Sequence, residues 1–197
     1  MSWLLKDRNL KENKMPICLG IDPDSRYIAM AIGSVETVLG VYSKKVPGTG
    51  KGGLIVMIDA LTEAIPEFIR QHNLNHLWPS TIIIEGQRIY PKSKARPNDL
   101  IKLAVLAGAI AGICVSLYPS KRILIPQPRE WKGTVEKYIY QARMYQQLGW
   151  DYVQHKKSNY SHPKNPTVGK TINMGEWKHV GDAIGLMMWG ACLDTPD

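Results

Sequence analysis

Cysteine is scarce in this chain. Cys18, Cys114 and Cys192 are odd in number, far apart and set among apolar neighbours. That excludes a disulfide framework and points to buried, reduced thiols in a cytoplasmic rather than secreted protein. No zinc-ligand spacing is present either. The opening Met1-Ser2-Trp3-Leu4-Leu5-Lys6-Asp7-Arg8 has too short an apolar stretch for a secretory signal, and Asn9 to Lys14 is charged and polar. Residues 1–15 are therefore expected to form a basic N-terminal extension, followed by one domain over 16–197. Long apolar runs are also missing. The nearest approach is Leu100 to Leu117, where Lys102 leaves fewer than the roughly 18 uninterrupted apolar residues that a membrane span prefers. This segment reads as a buried core helix, with Gly108 and Gly112 forming a small-residue face that suits close approach to a sheet or to a twin of itself. No membrane partner is expected. A phosphate loop is lacking as well, since in Pro47-Gly48-Thr49-Gly50-Lys51-Gly52-Gly53 the lysine is followed by glycine instead of Ser or Thr.

What is present is basic charge and enough apolar material for one good core. The chain has 197 residues, 44% of them hydrophobic, and 25 Lys and Arg against 17 Asp and Glu, for a net charge of +8. That balance favours a polyanionic partner, nucleic acid or an anionic surface. Three strands are expected first, Ile17–Asp22, Tyr27–Ile32 and Thr37–Ser43, separated by turn residues and forming an antiparallel meander. Leu54, Ile58, Leu61, Ile65 and Ile69 then recur at helical spacing, predicting an amphipathic helix over 54–71. A buried strand Thr81–Glu85, the apolar helix Asn98–Leu117 and a strand Arg122–Pro126 follow, an alternation that implies a parallel half to the sheet. A helix over Val135–Gln147, a long basic loop from Gly149 to Gly175 and a last helix Glu176–Leu193 complete the expected order.

Three acids stand where their local pattern does not call for one. Asp22 ends the apolar run Ile17-Cys18-Leu19-Gly20-Ile21, Glu85 ends Thr81-Ile82-Ile83-Ile84, and Asp182 interrupts the apolar last helix. An unpaired buried carboxylate is costly enough to protonate, so acids in such places normally have partners or a metal. His179 and Asp182 are three apart and share a helix face. Carboxylates with at most one imidazole suit a hard divalent ion, magnesium or manganese, better than zinc.

Leu19-Gly20-Ile21-Asp22-Pro23-Asp24-Ser25-Arg26 is similar to the first-strand signature G-I-D-P-G-S-R of RuvC-type Holliday junction resolvases, in the ribonuclease H-like superfamily. The resemblance continues through Glu85 at its strand end, the small-residue helix, the Ile125-Pro126 strand end, and the final H-x-x-D-A of His179, Asp182 and Ala183. It covers roughly residues 16 to 194. It implies an α/β fold with a mixed five-stranded sheet, antiparallel meander then parallel strands, and helices on both faces. It also implies that Asp22, Glu85, His179 and Asp182 are the catalytic and metal-ligating residues, holding two Mg2+ ions for which Mn2+ substitutes. The implied activity is paired phosphodiester hydrolysis at four-way junctions by a homodimer, giving 5′-phosphate and 3′-hydroxyl ends in DNA recombination and repair, in the cytoplasm, at the nucleoid or in a phage-infected cell.

Arg88, Lys92, Lys94 and Arg96 after Glu85, and Arg129, Lys132 and Lys137 farther on, are candidate phosphate contacts. Tyr90 and Trp131 lie among them, and both base stacking and core packing are open to these rings. Two positions depart from the family pattern. Asp24 replaces the usual glycine and is read as a turn residue, and Arg88 stands where the bacterial proteins have a wedging aromatic. His155 and His162 have no companions that would make a metal site. The rival readings are a nuclease of broader branched, flap or hybrid substrates, a non-catalytic nucleic-acid-binding relative, and a sugar or acetate kinase-like fold, which would need a second domain.

Overall fold

The computed structural model of the protein describes residues 15–24, 26–45, 53–72, 79–87, 97–166, 168–169 and 171–194. The expected extension falls outside them, apart from Met15. A five-stranded sheet has the order β3-β2-β1-β4-β5, built from β1 (Cys18–Pro23), β2 (Tyr27–Gly33), β3 (Val38–Lys45), β4 (Thr81–Ile84) and β5 (Arg122–Leu124). β1–β2 and β2–β3 pair antiparallel, whereas β1–β4 and β4–β5 pair parallel. The meander and the parallel half are thus both present. β5 is shorter than the expected 122–126. Pro126, without an N–H, cannot donate to a ladder, though its carbonyl accepts from the Gly86 N–H at 2.8 Å.

Side-chain alternation gives the sheet two different faces. Leu19, Ile21, Ile28, Met30, Ile32, Ile82 and Ile84 point to a core covered by α1 (Gly53–Gln71) and α2 (Pro97–Leu117). Cys18, Ala29, Ala31 and Ile83 point the other way, against α5 (Trp177–Leu193), with α3 (Pro128–Lys132) and α4 (Lys137–Gln147) packed outside it. By parity Gly20 and Asp22 belong to this second face, as does Glu85 just past β4.

Two expectations need correction. The apolar helix α2 is not a buried core helix. Only Leu106, Ala107, Ile110 and Cys114 are buried along its 21 residues, while Ile101, Val105, Val115 and Leu117 are 41–57% exposed. Gly108 and Gly112 face open space. By length and composition it is the one helix among the described residues that would suffice to cross a membrane, yet its buried stripe packs against α1 and the β4 side of the sheet. Its apolar composition runs all round the helix, so sequence could not say which stripe is covered. The second correction concerns 149–175, expected as a loop. It contains an antiparallel hairpin, β6 (Tyr152–His155) and β7 (Tyr160–Pro163), joined by a short 3-10 turn at Lys156–Ser158. Strands of four largely polar residues carry almost no periodic signal, and these are held by packing on α4 and α5.

Candidate metal centre

Gly20 sets the distance between β1 and α5. A Cβ at this position would lie 2.1 Å from the Ala183 carbonyl oxygen and 2.6 Å from the Met187 nitrogen. Only a residue without a side chain lets the helix backbone rest on the strand here. That close approach carries Asp182, one residue before Ala183, down beside Asp22 at the end of β1. Glu85 arrives from the neighbouring strand: β4 runs parallel to β1 with Ile21 opposite Ile84, and the Glu85 N–H donates to the Ile21 carbonyl at 2.9 Å. Asp22, Glu85 and Asp182, distant in sequence, therefore offer carboxylate oxygens that all lie within 4.8 Å of one another, and all three residues are buried.

His179 stands beside this triad and is not one of the mutually close group. Its Nδ1 is 3.1 Å from Asp22 Oδ2, and its ring stacks on Tyr27 with centroids 5.3 Å apart. Burial, with Lys137 and Lys178 nearby, lowers its pKa to about 4 against the pull of Asp24 and Asp182. Burial thus favours the neutral imidazole, and the contact with Asp22 is a hydrogen bond through Nδ1. Its Nε2 is buried without a hydrogen-bond partner, as is Glu85 Oε1.

The carboxylates repel one another in a dry setting. Asp22 is raised from 3.8 to about 7 by burial and then by the Asp182 charge, with Lys137 opposing. Glu85 is pushed well above its ordinary range by burial, followed by Asp22 and Asp182. Two lysines reach in to offset this. Lys137 pairs with Asp182 Oδ2, and Lys132 Nζ stands 3.6 Å from Glu85 Oε1, an ion-pair distance but too long for a hydrogen bond. Burial works against the charge on Lys137, yet Asp182 and Asp22 outweigh it and its pKa is raised. Three crowded acids and two buried ligand atoms that make no hydrogen bond, His179 Nε2 and Glu85 Oε1, fit a hard divalent cation, the partner that would relieve both.

The other sequence candidates separate clearly. Lys132 and Lys137, expected along a phosphate track, have their ammonium groups at the carboxylates. Arg129 is exposed on α3. Trp131 corrects the expectation of a nucleic-acid contact: it is 5% exposed and packed edge-on to Tyr140 at 5.2 Å, in the slot left by Gly185. No ring face is open for a base. Arg88, Tyr90, Lys92, Lys94 and Arg96 lie outside the described residues. Asp24 closes the turn after β1, its Oδ1 accepting from the Arg26 N–H at 3.0 Å.

Sequence reasoning missed Gln141. This side chain is fully buried, and its Nε2 donates to Asp182 Oδ1 at 3.1 Å and to the Lys178 carbonyl at 3.0 Å. Its Oε1 accepts from the Ser161 N–H at 2.8 Å. The available signal was its place four residues after Lys137, on the same face of α4.

With sheet order, helix placement and acid triad in view, the architecture can be compared with solved structures. RuvC of T. thermophilus in complex with a Holliday junction substrate superposes with a TM-score of 0.57 at 14% identity, covering 91% of this chain and 97% of that one. The chain has the RuvC fold. A second T. thermophilus RuvC structure gives a TM-score of 0.53 at 15% identity, over 89% of this chain and 93% of that one. The yeast mitochondrial Holliday junction resolvase Ydc2 gives 0.50 at 14% identity, over 91% and 80%. No family description matches the sequence, and no curated protein does. In this RuvC-type, ribonuclease H-like fold, the triad sits where the two central parallel strands end beneath the last helix.

Proposed function

We propose that this protein is a metal-dependent, structure-selective DNA endonuclease that resolves four-way junctions as a homodimer. The observation that carries the reading is the triad Asp22, Glu85 and Asp182, buried and mutually within 4.8 Å. The RuvC fold, seen elsewhere bound to a Holliday junction substrate, and the net charge of +8 support the choice of branched DNA.

In this reading the three carboxylates would hold the divalent cations, Mg2+ or Mn2+, each offering an oxygen within 4.8 Å of the other two. Bound there, such ions supply Lewis acidity, neutralising phosphate charge and making water more acidic. The remaining work falls to the chain. Tyr27 fixes the plane of His179, whose Nδ1 hydrogen-bonds and orients Asp22 and whose Nε2 would serve as a further ligand or a proton acceptor. Lys132 and Lys137 reach the carboxylates from α3 and α4, so a phosphate seated on those carboxylates would meet both ammonium groups. The uncovered apolar stripe of α2, with Ile101, Val105 and Val115 around Gly108 and Gly112, is the proposed two-fold contact. A two-fold dimer would present one site to each of two equivalent junction strands.

Arg88 in place of the wedging aromatic favours a second reading, a nuclease of flaps, simple branches or hybrids. Cleavage of labelled junctions, flaps, duplexes and RNA–DNA hybrids with Mg2+, alongside solution mass, separates the two. Paired nicks in the junction by a dimer support resolution; a monomer that cuts flaps and spares junctions rejects it.

A further inference from the structure

The β6–β7 hairpin has no part in the chemistry above, yet it is built onto it. From Tyr152 to Gly175 the chain contains no Asp or Glu, and Lys156, Lys157 and Lys164 are exposed on the hairpin and its base. This is an ordered element. His155 stacks on Tyr160 and His162 with centroids 4.7 and 4.9 Å apart, and the two histidines share a 2.9 Å hydrogen bond. Asn159 takes the left-handed conformation that closes the turn, at φ 53°, and Lys164 N–H donates to the Asp151 carbonyl at 2.8 Å across the base.

The hairpin is fastened beside the triad at two points. Ser161 Oγ donates to the Tyr138 carbonyl at 2.8 Å, next to Lys137. The Ser161 N–H donates to Gln141, whose amide in turn donates to Asp182. Two hydrogen bonds therefore separate the hairpin backbone from a triad carboxylate. Gly181 makes the link compact: a Cβ there would fall 2.6 Å from Gln141 Nε2. At about 3.3 Å per residue the lysine turn lies roughly 10 Å beyond Ser161. A polyanion approaching three carboxylates is repelled unless cations offset them, and the element fastened to Asp182 through Gln141 carries three exposed lysines and no acid.

Building on the nuclease reading, we propose that the hairpin Tyr152–Pro163, with the adjoining Lys164 at its base, is a DNA arm, in which Lys156, Lys157 and Lys164 grip the phosphodiester backbone flanking the strand presented to the triad. Lysine ammonium groups on a turn provide point charges and no fork for base edges, so the arm adds affinity and register, not sequence preference.

The test is junction binding by the full-length protein in EDTA, followed between about 50 and 200 mM salt, where each lost phosphate contact removes about 0.9 from the slope of log affinity against log salt. The triple variant Lys156→Gln, Lys157→Gln, Lys164→Gln is expected to lose two to three such contacts and at least tenfold in affinity at the low-salt end, with an unchanged circular dichroism spectrum. The matching triple Arg variant retains the wild-type slope. Wild-type slope and affinity in the Gln variant overturn the arm, and so does an equal loss in the Arg variant, which would mark the effect as structural. A wild-type protein that binds no branched DNA removes the nuclease reading and the arm together. A wild type that binds and nicks while the Gln variant matches it removes the arm alone.

Discussion

Without its cation the triad should weaken the fold, and Asp22→Asn measures by how much. Asp22 is raised from 3.8 to about 7, and a carboxyl with a raised folded-state pKa keeps a proton that the unfolded chain has already released. Stability is therefore lost as pH climbs from the unfolded value through the folded one, and the loss is complete above about 7. At 1.36 kcal/mol for each tenfold, the cost at neutral pH is about 4 kcal/mol. Asparagine removes that cost and can still hydrogen-bond His179 Nδ1, but it also takes an anion away from Lys137. The expected net gain is about 2 kcal/mol, or roughly 4–8 °C in melting temperature for a chain of this size. The assay is thermal unfolding of both proteins at pH 5, 7 and 8, in EDTA and in Mg2+. In EDTA the variant should melt above the wild type at pH 8 and converge with it toward pH 5. In Mg2+ the wild type should rise by several degrees and the variant should not, with nicking abolished and junction binding retained. A variant that melts below the wild type in EDTA at pH 8 would refute the reasoning, because it would mean that His179 and Lys137 already satisfy an ionised Asp22.

Gly20→Ala should cost more than about 3 kcal/mol and abolish the Mg2+-induced rise in melting temperature, since its new methyl meets helix backbone that cannot swing aside; wild-type melting would show that α5 can lift off β1 freely. Gln141→Leu strands the Ser161 N–H and removes a donor from Asp182 Oδ1, and should lose about 2–4 kcal/mol in urea unfolding, whereas a change under 0.5 kcal/mol would mean that water replaces the amide. His179→Asp adds a fourth acid to the pocket, so its metal-free melting should fall by the equivalent of about 1–2 kcal/mol while nicking at saturating Mg2+ stays within tenfold of wild type. Complete inactivity in a folded variant would assign the imidazole a task that a carboxylate cannot perform.

The sequence by itself carried the elements of the central sheet, because period-two and helical spacing of apolar residues are local properties. It also singled out Asp22, Glu85 and Asp182, since an acid closing or interrupting an apolar run is conspicuous without coordinates. Their meeting was another matter. It depends on Gly20 admitting α5, on the parallel register of β1 and β4, and on α4 inserting Lys137 and Gln141, all relations between segments far apart in the chain. The same holds for the exposed stripe of α2, where apolar residues on every side leave burial to be chosen by the neighbours, and for Trp131, whose basic sequence neighbours suggested DNA while Gly185 on another helix made room for it in the core. The hairpin was invisible for a related reason: four-residue polar strands have no periodicity to read, and they exist because α4 and α5 give them a surface to pair against. Local pattern selects elements, but distances of a few ångströms between carboxylates are fixed only when those elements pack.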